Sequence, residues 1–206
     1  MALSALSDEL MRAEGMMMQD QNEEALELLL RLAEDAEEYV DCNCQTTDEL
    51  QYFAFPTLFD RLAYRRVEND PRKLEDVAEP FDRLYGDLAM AYVRTGDYEN
   101  AMNALKTAIR WNPMNCGFRL DLADLFKIAG DIREHIALTF GVFERASEAR
   151  HLTRAFLNFA AWFEAQGRLE QAAACLRAAR RFEVKDSTLE AALDQAAGTP
   201  KDPDGL

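Results

Sequence analysis

The stretch that decides the fold is residues 85–113, YGDLAMAYVRTGDYENAMNALKTAIRWNP. Its apolar residues recur every three or four positions on both sides of Thr95-Gly96-Asp97, the spacing that puts one apolar face on each of two helices. Gly96 supplies the left-handed backbone that ends the first helix, Asp97 is a good N-cap for the second, and Pro113 stops it. Small residues at Ala89, Ala101 and Ala108 let two antiparallel axes approach to about 8–10 Å. Tyr85, Leu88, Tyr92 and Leu105 are then placed to fill the space between this hairpin and its neighbours.

The same device recurs. Ala129-Gly130-Asp131 follows Gly96 by 34 residues, and Gln166-Gly167-Arg168 follows Gly130 by 37. Before these turns stand Leu122-Ala123 with Phe126, and Phe159-Ala160 with Phe163, matching Leu88-Ala89 with Tyr92. After the third turn, Ala172, Leu176 and Ala179 match Ala101, Leu105 and Ala108. The pattern resembles the tetratricopeptide repeat: Tyr85, Leu88, Ala89, Tyr92, Ala101, Leu105, Ala108 and Pro113 all hold acceptable signature residues. The resemblance implies an all-α fold, a right-handed superhelix of antiparallel helix pairs, with repeats at about 82–115, 116–152 and 153–186. The second copy departs from it, with His135 at a small-residue position and Ser147 at the closing proline. Its second helix is expected to be longer, or packed at another angle, to absorb three extra residues.

Upstream, residues 1–40 read as a degenerate helical hairpin. One face of residues 4–18 carries Leu6, Leu10, Ala13 and Met17, and Ala25 and Leu29 continue the second-helix pattern, with no glycine at the turn. Residues 41–80 interrupt the period: a polar loop, an aromatic, partly helical segment, and a turn at Asn69-Asp70-Pro71. Tyr52 to Phe59 is apolar enough to demand burial. An aromatic insert ahead of the array is similar to certain uncharacterised bacterial tetratricopeptide proteins. Residues 187–206 are expected to hold a closing helix, capped by Asp186, and a loose tail from 198 to 206.

Charge narrows the partners. Residues 1–80 hold 20 acidic side chains against 7 Lys+Arg, and the chain as a whole carries a formal charge of -15. Such a balance repels phosphates and anionic headgroups, so neither nucleic acid nor membrane is expected as a partner. No apolar run approaches the roughly 20 residues that span a bilayer, and the acidic start does not read as a secretory signal. A cytoplasmic setting with reduced thiols is expected for Cys42, Cys44, Cys116 and Cys175.

Chemistry-bearing constellations are scarce. The two histidines, His135 and His151, lie in no nucleophile or metal motif, and the nine glycines form no phosphate loop. Asp131 and His135, spaced i and i+4, could share a metal, but the repeat register turns His135 toward a packing surface. Neither catalysis nor a cofactor is therefore expected.

What the resemblance implies instead is a concave groove lined by the first helix of each copy, with partner-facing positions at Arg83, Met90 and Arg94, then Leu120, Asp124 and Lys127, then Arg154, Leu157 and Ala161. Gly86 and Met90 replace the residues with which chaperone-binding relatives clamp a terminal carboxylate. A groove apolar at its centre with cations around it suits an apolar peptide or protein segment with some acids. The expected role is that of an adaptor or scaffold. A small acidic chaperone for a secreted client and an enzyme with an unrecognised site are the alternatives. The insert, or a second copy in a homodimer, could also fill the groove.

Overall fold

The computed structural model describes residues 3–198. Among them ten helices form in order: α1 (Leu3–Met18), α2 (Asn22–Asn43), α3 (Leu58–Glu68), α4 (Phe81–Thr95), α5 (Tyr98–Trp111), α6 (Cys116–Ile128), α7 (Ile132–Arg145), α8 (Ala149–Ala165), α9 (Leu169–Arg180) and α10 (Ser187–Gly198). Two short strands, β1 (Leu50–Phe53) and β2 (Lys73–Asp76), flank α3. The chain divides into two compact units, residues 1–118 and 119–206, with the boundary inside α6.

The glycine turns share one geometry. At Gly96, in the left-handed region (φ 84°), the Asp97 amide donates back to Tyr92 O (2.9 Å) and the Gly96 amide to Val93 O (3.2 Å), satisfying carbonyls that the helix end leaves open. Gly130 and Gly167 repeat the reach, through Asp131 to Phe126 and Arg168 to Phe163, both at 2.9 Å. Asp97 and Asp131 then cap α5 and α7 by accepting from the Asn100 and Glu134 amides. The α1–α2 turn closes in the same way without glycine. Asp20 takes the left-handed position (φ 59°), and Gln21 donates to Met16 O at 3.0 Å. A short polar side chain tolerates that conformation, so the first hairpin is built on the same turn as the others.

In the first unit the core is the α4–α5 pair. Ala101 and Ala108 are fully buried between the axes with Ala89 and Leu105 close to it, the packing that small residues permit. The Asp82 and Asn112 side chains are buried together across the open end of the pair. Asn112 Nδ2 donates to Asp82 Oδ2 at 2.8 Å, and Asn112 Oδ1 accepts from the Met114 amide at 3.2 Å. Both α1 and α2 pack directly on α4. The first hairpin is therefore the spatial neighbour of the second, although residues 44–80 separate them in sequence.

Those intervening residues hold strands that the periodicity did not signal. β1 and β2 pair in parallel, Leu50 opposite Lys73 through Phe53 opposite Asp76, with α3 as the crossover. Phe53, Phe55, Tyr64 and Leu74 form a small core with Met114, and Phe53 lies 4.8 Å from Phe55 and 4.6 Å from Tyr64 between ring centroids. The Ala54 amide donates to Trp111 O at 2.9 Å, which docks the insert on the end of α5. Only part of the apolar segment is buried: Leu58 and Phe59 are exposed, as is Leu62. Asn69, left-handed at φ 50°, makes the expected turn after α3.

In the second unit α8 packs on both α7 and α9, and α10 lies against α8 and α9 through Leu193, its N-terminus capped by Asp186. The α7 helix has 14 residues, as α5 does; the added length is in α8, with 17, which starts at Ala149 rather than near Thr153. The extra turn thus belongs to the first helix of the third copy, not to the second helix of the second. The expected tail beyond 198 lies outside the described residues.

Because Asn112 is the one side-chain donor to the buried Asp82 carboxylate among the described residues, Asn112→Ala is expected to destabilise the protein by about 2–3 kcal/mol. Chemical denaturation measures this, and a loss below about 0.5 kcal/mol would show that water satisfies the site.

Candidate functional site

The nine residues expected to face a partner fall in the two units and meet different fates. On α4, Arg83 and Arg94 reach back to α1. Arg83 donates to Glu14 through Nε (3.0 Å) and Nη2 (2.7 Å), and Arg94 Nη1 donates to Met17 O at 3.0 Å. These cations tie the two hairpins together. Met90, about two helix turns after Arg83 and one before Arg94 on the same face, is 48% exposed. The insert, docked on the end of α5, leaves Met90 uncovered. Gly86 is a packing position, since a Cβ there would stand 2.5 Å from the Phe118 ring.

One residue on this face escaped the sequence reading. Asp87, four positions after Arg83, is mostly buried; its Oδ2 lies 3.8 Å from Arg83 Nε, and among the described residues no donor reaches it within hydrogen-bond geometry. Burial, reinforced by the neighbouring Glu14 carboxylate, pushes its pKa up to about 7, with Arg83 opposing the rise. The Arg83/Asp87 spacing was visible in the sequence, but Glu14, which competes for the same guanidinium, was not connected to it.

In the second unit Leu120 is fully buried, which corrects its expected place at an open groove centre. Arg154 is shared by Asp121 (Nη1 to Oδ1, 2.7 Å) and Asp124 (Nη2 to Oδ2, 2.5 Å), so Asp124 is neutralised within the unit. Leu157 is half-buried beside Ala160, Leu176, Ala179 and Leu193. Lys127 and Ala161 are exposed. His135 is buried, with Nδ1 2.8 Å from Ala123 O, a structural role in the α6–α7 packing. Among the described residues no cluster of three His, Cys, Asp or Glu side chains is arranged to hold a metal.

The face of α4 therefore offers a flexible thioether flanked by arginines already engaged by α1, an arrangement suited to apolar contact more than to charge recognition. The raised Asp87 pKa has a stability consequence. The folded state holds this proton above the ordinary carboxylate range, so stability falls as pH rises from about 4 to about 7. Asp87→Asn removes that titration. It is expected to stabilise the protein by on the order of 1–3 kcal/mol at pH 8, with the gain shrinking toward pH 4. Denaturation at several pH values tests it, and a gain independent of pH would contradict the assignment.

Residues 82–115 match the tetratricopeptide repeat family model. No curated protein matches the chain. Among solved structures, TTC0263, a thermophilic TPR protein in Thermus thermophilus, is 18% identical with a TM-score of 0.46, covering 93% of this chain and 98% of its own. MamA AMB-1 is 17% identical with a TM-score of 0.39, covering 91% and 96%. Both superpositions are loose. The matched segment spans α4 and α5, and its turn, small-residue contacts and closing proline are those described above. The α4–α5 hairpin thus matches the tetratricopeptide repeat in sequence and in the geometry of its turn and helix pair.

Proposed function

We propose that the chain is a non-catalytic interaction module, an adaptor or scaffold in the cytoplasm, that takes a segment of a partner protein on the faces of its repeat first helices. The observation that carries this reading is Met90, an exposed thioether on the α4 face of the matched repeat. The insert that could have covered it is docked on α5 instead. Because Arg83 and Arg94 are engaged by α1, recognition there rests on apolar contact, and the partner's acids are secondary. In the second unit Lys127 and Ala161 are the exposed positions of the corresponding face.

Cross-linking in native cells, followed by identification of what co-purifies, tests the reading. Met90→Glu, Lys127→Glu and Ala161→Glu alter exposed side chains and are expected to leave the fold intact. Met90→Glu is expected to reduce recovery of the principal partner by about tenfold or more, the effect of losing roughly 1.4 kcal/mol of binding. Recovery of the same partners at the same yield from all three variants would refute it.

A further inference from the structure

The first hairpin reaches the second through direct contacts of α1 and α2 with α4. What the insert does build is a cleft of about 490 Å³ against the end of α5. Phe53, Tyr64 and Pro113 give it apolar walls, and Thr46, Gln51, Arg72 and Arg110 supply polar groups. That volume and that mixture are typical of small-molecule sites.

The two guanidiniums differ. Arg72 is fixed by Asp70, which accepts from Nε (2.9 Å) and Nη2 (2.7 Å), while Nη1 donates to Gln51 Oε1 at 2.8 Å. Asp70 is itself largely buried and takes the Tyr64 hydroxyl at 2.8 Å, so its charge balances that of Arg72 and the pair forms a rigid wall. Arg110 makes no ion pair among the described residues; its guanidinium lies over the Trp111 ring, 5.2 Å from the centroid. Among the described residues no carboxylate lines the cleft. A cation without an ion-pair partner among the described residues, oriented by an aromatic face, is thus left beside two more aromatic rings in a strongly acidic protein.

We propose that this cleft binds a small aromatic carboxylate. The carboxylate meets the N–H edge of Arg110, a planar fork suited to two parallel hydrogen bonds. The ring lies against Phe53, Tyr64 and Pro113, and the fixed Arg72–Gln51 pair borders the polar end. A neutral analogue loses the charge-assisted bonds and leaves Arg110 as it is. This site is separate from the α4 face proposed for the partner protein, and either can fail without the other.

Phenylacetate and phenylacetamide are the probes, titrated into the whole protein while backbone amide shifts are followed by NMR. Phenylacetate is expected to bind with a Kd of about 1 mM or tighter, shifting amides around Thr46, Gln51 and Arg110, and phenylacetamide about tenfold more weakly. Arg110→Gln, at an exposed position and checked for unchanged circular dichroism, is expected to weaken phenylacetate about tenfold, with Arg110→Lys in between and Arg133→Gln, exposed on α7, without effect. Equal binding of acid and amide, undiminished binding to Arg110→Gln, no binding of phenylacetate, or shifts clustered elsewhere would overturn the proposal. So would tighter binding, by about tenfold, of a tetrapeptide ending in a free phenylalanine carboxylate, which would make the cleft a peptide site. The acid–amide comparison uses the unaltered protein and stands whether or not a variant folds.

Discussion

The close approach of α4 and α5 is the constraint on which the first unit depends. Two helices come this near only where their facing residues are small, and Ala101 and Ala108, both wholly buried, meet that requirement with Ala89. The Asp82–Asn112 hydrogen bond joins the start of one helix to the end of the other and sets their register. From that pair the rest follows. The first hairpin leans on α4, with its edge tied by Arg83 and Arg94, and the insert leans on Trp111 and Met114 at the end of α5.

Local chemistry made the hairpins legible. A glycine in the left-handed region, a following aspartate and apolar residues at helical spacing act over a few residues, and each acted as expected at Gly96 and Gly130. The first hairpin was legible from its periodicity, although Asp20 rather than glycine makes its turn. The strands were not. Four-residue segments paired in parallel across a helix are stabilised by partners about twenty residues away, so neither alternation nor propensity announces them. Burial of residues 52–59 was anticipated as a block, whereas the structure buries Phe53 to Phe55 and leaves Leu58 and Phe59 in solvent. The start of α3 separates the two behaviours.

The candidate face was legible as a set of positions and not as a set of free groups. Repeat register places Arg83, Met90 and Arg94 on one side of α4, but Glu14 and the Met17 carbonyl, more than sixty residues earlier, decide that the arginines are engaged. The same limit hid Asp87, whose burial depends on α1, and misplaced Leu120, which is core. Long-range partners govern charge and exposure at each of these sites. That is why Met90, with no polar group to satisfy, is the position on α4 whose expected exposure survives unchanged, as Lys127 and Ala161 are the exposed positions of the second unit.

The α1–α2 and α4–α5 hairpins are neighbours in space, and the insert is an addition to their flank. Replacing residues 46–76 with a flexible Gly/Ser linker of equal length, and following amide hydrogen exchange in α1, α2 and α4, tests this arrangement most directly. Protection of the buried segments around Leu10, Leu29 and Leu84 should persist in the altered protein, because α1 and α2 still have α4 to pack on. Loss of protection across α1 and α2, with α4 and α5 unchanged, would show that the insert holds the first hairpin in place and would contradict the account.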